Sequence, residues 1–277
     1  MTLIIAYAGH DGQFLVADRR ISDHISGRVF DDQSYKILNY VNIPQHYQFS
    51  VAYTGLAEWN NFRTIDWLIA NLPRHLKNDT DVGKGINSFA LGCTNQFKQM
   101  HSLALQHKAL TLILCGRYNL YGSHPTARKH IPFLCMISNC MERDGRQSNV
   151  VSPEFTILEN HIRQPSDYMI VCRGDLASAS RHSKTFILTR RIMRWTKVSI
   201  QFKVRLAMRY IRKVASNSIT VGEDVLAIAY PKKGFAEGFE FPKNEKKATR
   251  TMPHMVSSGG AVLTNFLVGP VKKEGIP

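Results

Sequence analysis

Two apolar runs joined by a tight turn open this chain, and they constrain its fold more than any other feature. Thr2–Ala8 (TLIIAYA) and Gln13–Arg20 (QFLVADRR) flank His10-Asp11-Gly12. Asp-Gly between two apolar runs is hairpin chemistry, so both runs read as antiparallel strands. A hairpin whose first strand starts at residue 2 sets the chain's beginning at one end of a sheet. The turn lies near the midpoint between Thr2 and Asp18, so the returning strand carries Asp18 back beside Thr2.

The next segment continues in strands. Tyr35–Tyr40 (YKILNY) is a short strand with Lys36 at its start, and Gln48–Thr54 (QFSVAYT) is another, ended by Gly55. Leu56, Trp59, Phe62, Ile65, Leu68 and Leu72 then follow a helical period. This places Gly55 at a strand-to-helix junction, where its N–H would be an uncrowded donor for a developing oxyanion.

Thr2 has a chemistry of its own. Removal of Met1 ahead of this small residue would leave a threonine with a free α-amine. The pair of hydroxyl and terminal amine is one way to activate an oxygen nucleophile without histidine. A terminal amine has an ordinary pKa of about 7.7–8.0, so part of it is neutral near pH 7. Taken singly, Asp18 also reads as a strand-end turn residue and Lys36 as a lysine that blunts a sheet edge. Their order along the chain favours the functional reading.

Thr2, Ala17-Asp18-Arg19-Arg20, Lys36-Ile37 and Tyr53-Thr54-Gly55-Leu56-Ala57 together resemble the β-type subunits of the proteasome family, which are N-terminal nucleophile hydrolases. The likeness is firm over about residues 2–72, diffuse to about 230 and absent beyond. It implies that Thr2 Oγ attacks a carbonyl and passes its proton to the α-amine through a water. It implies that Lys36 lowers the pKa values of both groups, that Asp18 orients Lys36, and that the Gly55 N–H holds the oxyanion until water releases the acyl-enzyme. Arg20 matches the family's arginine, and Tyr53 would help line the substrate pocket. Lys36 falls two residues later than the family spacing, which implies a small insertion around Ser26–Gln33. The family's Gly-Ser-Gly-like turn reads here as Cys172-Arg173-Gly174-Asp175, without the serine. Asn217 and Thr220 stand where the family has a supporting aspartate and serine. Asp175, Asn217 and Thr220 are therefore expected to support the amine, and their departure from the pattern keeps open a catalytically degenerate member.

The remaining pattern alternates strand pairs with helix pairs. Helices are expected at Val82–Leu105, about Arg181–Trp195 and Val198–Ala215. Strands are expected at Ala109–Gly116, Pro132–Met141, Glu154–Ile162, Tyr168–Cys172, near Ser218–Thr220 and at Val225–Tyr230. This order fits an α+β chain built as a four-layer αββα sandwich of two antiparallel sheets. The expected division is a domain over 1–232 and a C-terminal extension over 233–277, partly loop, with Ser257-Ser258-Gly259-Gly260 as loop and Val262–Val268 as an apolar segment able to dock. The start lacks a basic segment and a long apolar core, so it does not read as a signal peptide, and no run reaches membrane-spanning length. Five scattered cysteines read as reduced thiols of a cytoplasmic protein. No cofactor or metal is expected.

Charge is the last feature. The formal net charge is +15, and residues 176–222 hold eleven Lys or Arg and no Asp or Glu. Such a field attracts acidic protein surfaces or nucleic acid, although no nucleic-acid motif and no aromatic platform is evident among these residues. The expected partners are thus a peptide or amide substrate, further copies of the chain in a ring or smaller assembly (by the family resemblance), and an acidic partner or nucleic acid at the basic helices. The competing reading is a basic binding module without activity.

Overall fold

Every residue of the first strand is buried because both of its faces are covered. The computed structural model describes residues 2–22, 28–42, 47–76, 81–121, 128–142, 144–164, 166–232, 236–243, 249–252, 255–257, 262–263 and 266–267. The chain begins with β1 (Leu3–Gly9), β2 (Gly12–Asp18), β3 (Ile21–Ser22), β4 (Val29–Asp31), β5 (Ile37–Asn42), β6 (Tyr47–Gly55), β7 (Glu58–Trp59) and β8 (Phe62–Arg63). Helices α1 (Thr64–Leu76) and α2 (Val82–Gln99) follow, then β9 (Leu110–Tyr121), β10 (Arg128–Ser138), β11 (Thr156–His161) and β12 (Tyr168–Gly174). Helices α3 (Leu176–Ser180), α4 (Ser183–Met193) and α5 (Ile200–Ala215) lead into β13 (Val225–Pro231) and β14 (Glu237–Phe241). The chain closes with β15 (Thr249–Met252), β16 (Met255–Ser257), β17 (Val262–Leu263) and β18 (Phe266–Leu267).

Two seven-stranded sheets organise the molecule. One runs β12-β1-β2-β13-β14-β15-β18 and the other β11-β10-β9-β6-β5-β16-β17. In the opening hairpin Ile4 faces Ala17 and Gly9 faces Gly12, so the loop is His10-Asp11. Side-chain alternation then divides β1 between two cores. Leu3, Ile5 and Tyr7 pack with Val204, Ala207 and Ile211 of α5. Ile4, Ala6 and Ala8 pack with Ile37, Ala52 and Ile113 of the second sheet. A third core lies on the far face of that sheet, where Tyr40, Phe49 and Val51 meet Leu68, Leu72, Phe89 and Phe97 of α1 and α2. Each fully buried Leu, Ile or Phe contributes about 1.5–3 kcal/mol relative to exposure. Ser199 starts α5 by accepting a hydrogen bond from Phe202 N at 3.2 Å.

Several expected elements differ. The helix after Gly55 begins only at Thr64. Leu56–Arg63 instead holds the β7–β8 hairpin, turned at Asn60 with φ +50°. Trp59 and Phe62 sit at helical spacing but face each other across that hairpin. The helix expected over about 181–195 is present as α4, and a further short helix, α3, capped by Asp175, precedes it. Ser218–Thr220 is a loop, because the Ser218 hydroxyl accepts from the Thr220 and Val221 N–H groups at 3.2 Å and bends the backbone away from a ladder. Beyond residue 232, β14 extends one sheet beside β13 and β16 pairs in parallel with β5. Ser257 belongs to β16, while the rest of the expected Ser-Gly loop lies outside the described residues. Ahead of Lys36, β3 pairs antiparallel with β4. Three cysteines are buried, and Cys140 and Cys172 are half-buried; all five are free thiols.

Candidate active site

The two sheets meet at one end of β1, and four of the expected residues converge there. Thr2 precedes β1, Asp18 ends β2, and Lys36 sits just before β5 on the opposite sheet. Thr2 is 4% exposed, Lys36 1% and Asp18 0%. The Lys36 ammonium donates to Thr2 Oγ1 and to the Arg20 carbonyl, and stands 3.6 Å from Asp18 Oδ2. Arg20 therefore contributes through its backbone. Its guanidinium turns away, to Asp32 at 2.5 Å and the Ile219 carbonyl at 3.1 Å.

The backbone satisfies Asp18. Its carboxylate accepts from Leu3 N at 2.6 Å, Gly222 N at 3.0 Å and Arg20 N at 3.1 Å. Burial pushes the Asp18 carboxyl above its ordinary range, while the Lys36 charge and these three N–H groups pull it back. Burial likewise pushes Lys36 below its ordinary range, and Asp18 opposes that shift. The two charges are thus held in the interior by each other and by the fixed backbone donors.

A second carboxylate flanks Thr2. Asp175 N and Thr54 Oγ1 both donate to the Thr2 carbonyl, at 3.1 and 3.2 Å. Strand β12 comes this close because Gly174, with φ +112°, has no Cβ to strike that carbonyl. The Asp175 carboxylate accepts from the Thr220 hydroxyl at 2.5 Å, the Ser218 hydroxyl at 3.1 Å and Ser178 N at 2.9 Å. Burial raises its pKa, but these donors outweigh burial and hold the carboxyl below the usual range. The loop from Ser218 to Gly222 therefore clips both Asp175 and Asp18.

Asn217 and Tyr53 lie elsewhere. The Asn217 amide is exposed and faces Ser216 and His182; the hydroxyl that meets Asp175 beside Thr220 belongs to Ser218. Tyr53 is 2% exposed in the core under α1 and α2, on the opposite face of β6 from Thr54. Strand alternation distinguishes the two: Ala52 and Thr54 share the inter-sheet face, and Tyr53 does not. Gly55 ends β6 with φ +106° beside Ala109, with no helix N-terminus behind its N–H. Among the described residues no three His, Cys, Asp or Glu side chains cluster as a metal site. Met1 lies outside the described residues.

No protein-family profile matches the sequence, and no curated relative is found. Solved structures do resemble the fold. Anbu (ancestral beta-subunit) from Yersinia bercovieri aligns with TM-score 0.54 and 13% identity over 83% of this chain and 82% of that one. A mutant Anbu from Hyphomicrobium sp. strain MC1 aligns with TM-score 0.57 and 10% identity over 89% of each chain. These neighbours correct the resemblance to proteasome β-type subunits: Anbu proteins are proteasome-like but distinct, and identity this low carries the fold alone. The chain is a mixed α+β protein with a proteasome-like fold.

Proposed function

We propose that this chain is an N-terminal threonine hydrolase that cleaves a peptide or small amide bond through an acyl-enzyme once Met1 is removed. The observation that carries this reading is the buried contact of the Lys36 ammonium with Thr2 Oγ1, beside an Asp18 fixed by three backbone donors. Because Lys36 donates to Oγ1, the hydroxyl proton is directed elsewhere, towards the freed α-amine or a water between them. Thr2 Oγ1 attacks the substrate carbonyl, Lys36 stabilises the alkoxide as it forms, and the amine returns the proton to the leaving nitrogen. The Gly55 N–H is the proposed oxyanion donor, and water then releases the acyl group. Asp175, Thr220 and Ser218 position the Thr2 backbone and supply an anion near the terminal amine.

The fold reading that accompanies this proposal is a four-layer αββα sandwich, with the hydrolase unit at 1–232 and an extension at 233–277. Residence in the cytoplasm and assembly with further copies of the chain belong to the same proposal. No helix among the described residues is long and apolar enough to cross a membrane.

Intact mass with terminal peptide mapping tests the reading, with and without an epoxyketone or β-lactone. A chain that starts at Thr2 and gains one inhibitor mass there supports a working nucleophile. Retained Met1 blocks the amine and overturns it. A second reading, a basic binding module, rests on the exposed Lys and Arg of α4 and α5, beside an exposed Trp195 and an Arg194 side chain 5.2 Å from the Tyr168 ring. Lys203 does not belong to that surface: it is fully buried and pairs with Asp11 at 2.5 Å. Affinity for an acidic protein or nucleic acid that falls steeply with salt, without labelling at Thr2, would favour the module.

A further inference from the structure

The edge strand β12 has a second face, and a cavity of about 350 Å³ lies against it. Thr2 reaches the second sheet through Lys36, whereas Ile170 and Cys172 of β12 pack on the helix side with Tyr7 and Ile5. One sheet thickness therefore separates the cavity from Thr2. Its inner wall is apolar, formed by Ile170, Cys172, Leu176, Phe186 and Tyr210. Tyr210 is spent as a polar group, since its hydroxyl donates to the Ala179 carbonyl at 3.0 Å.

The mouth is cationic. Arg190 and Ser183 line it, and among the described residues no Asp or Glu does; the Arg173 guanidinium is taken up by the Cys172 and Gly145 carbonyls. Arg190 is exposed and makes no ion pair among the described residues. Asp175 is close in sequence, but its carboxylate is held by Thr220, Ser218 and Ser178 N. The exposed Lys and Arg of α4 and α5 add positive charge on the same helix layer. A volume of this size stands at the small end of ligand pockets, about 300–1,000 Å³, which limits the guest to a small molecule.

We infer that this cavity binds a small organic carboxylate, with its apolar body against Phe186 and Tyr210 and its carboxylate at the Arg190 guanidinium. An apolar floor under a single unpaired guanidinium selects for both parts of such a ligand: the floor excludes a compact hydrated anion, and the guanidinium favours a charged head over a neutral one.

Titration calorimetry on the full chain tests this with octanoate, acetate and octanol as probes. Octanoate should bind saturably at one site, at least tenfold more tightly than acetate or octanol. Arg190→Glu should weaken octanoate at least tenfold, and Arg190→Lys should recover part of the loss; both changes are at an exposed position and leave the core intact. Thr2→Ala should bind octanoate as the parent does, which separates this site from the proposed hydrolase. Absence of saturable octanoate binding overturns the inference. So does acetate binding as tightly as octanoate, or an Arg190→Glu chain that binds it unchanged.

Discussion

The two ends of the opening hairpin carry the same ingredients arranged to opposite effect. Each end has a buried lysine, an aspartate and a hydroxyl. At the loop end, Lys203 donates to Asp11 at 2.5 Å and to the Tyr7 hydroxyl at 2.9 Å, while that hydroxyl donates to Asp11 at 2.5 Å. The ammonium also lies 4.3 Å from the Tyr7 ring centre. These groups close on one another, so the set is a structural lock. At the Thr2 end, three backbone N–H groups satisfy Asp18, and the lysine stands 3.6 Å away. Lys36 is thereby free to point its protons at an aliphatic hydroxyl and a carbonyl. What separates a lock from a candidate active site is which groups satisfy the carboxylate.

The sharpest test of that difference is at Thr2. Thr2→Ala should abolish labelling by an epoxyketone or β-lactone and any hydrolysis, while the thermal midpoint moves by only a few degrees, since among the described residues the hydroxyl's one partner is Lys36. Labelling that persists at residue 2 would remove the mechanism. Lys36→Met comes next. It should slow labelling by about 10²–10³-fold, the usual scale for a lost donor to a developing oxyanion, and it should also destabilise the chain by leaving Asp18 buried without its counter-charge. A Lys36→Met chain that labels at the parent rate would make the Thr2 end a lock like the other.

Much of the Thr2 end was legible in the sequence because it is local. A hairpin with its turn midway between Thr2 and Asp18 brings the two together by register alone, and Lys36 follows on the next sheet strand. Asp175, Asn217 and Thr220 were expected only through the resemblance that the structural neighbours correct, and it is the Ser218 hydroxyl, not Asn217, that meets Asp175 beside Thr220. The helix drawn from Gly55 failed because Trp59 and Phe62 match a helical period equally well as partners across a turn. The loop-end lock was not legible as a pair, since Asp11 and Lys203 are 192 residues apart. Half of its signal was nevertheless present. Ile200, Lys203, Val204, Ala207 and Ile211 fall on one helical stripe, which puts Lys203 on the buried face of α5 and off the basic surface.

Lys203→Met tests the lock from its own side. Removing one member of a buried pair costs about 3–5 kcal/mol, so denaturant unfolding should show a loss of that order. Labelling of the folded fraction at Thr2 should stay within about threefold of the parent, because nothing at the loop end touches the Thr2 cluster. Adding Asp11→Asn should recover part of the stability by removing the stranded charge. If Lys203→Met instead abolishes labelling in a folded chain, the two ends are coupled through β1 and the comparison fails.

The smallest effect belongs to Tyr7. Burial, the hydrogen bond to Asp11 and the Asp11 charge all push its phenol far above the ordinary value of 10.0. Above pH 10 the unfolded chain therefore releases a proton that the folded chain keeps, so this group's contribution to stability falls as pH rises. The slope from one such group is at most about 1.4 kcal/mol per pH unit. Tyr7→Phe should cost about 1 kcal/mol at neutral pH, the scale of a lost hydrogen bond with Lys203 and Asp11 still paired. It should then lose stability less steeply than the parent between pH 10 and 11, in parallel denaturant series. Identical slopes would mean that the Tyr7 proton is not held by the lock, and that the loop end is looser than its distances imply.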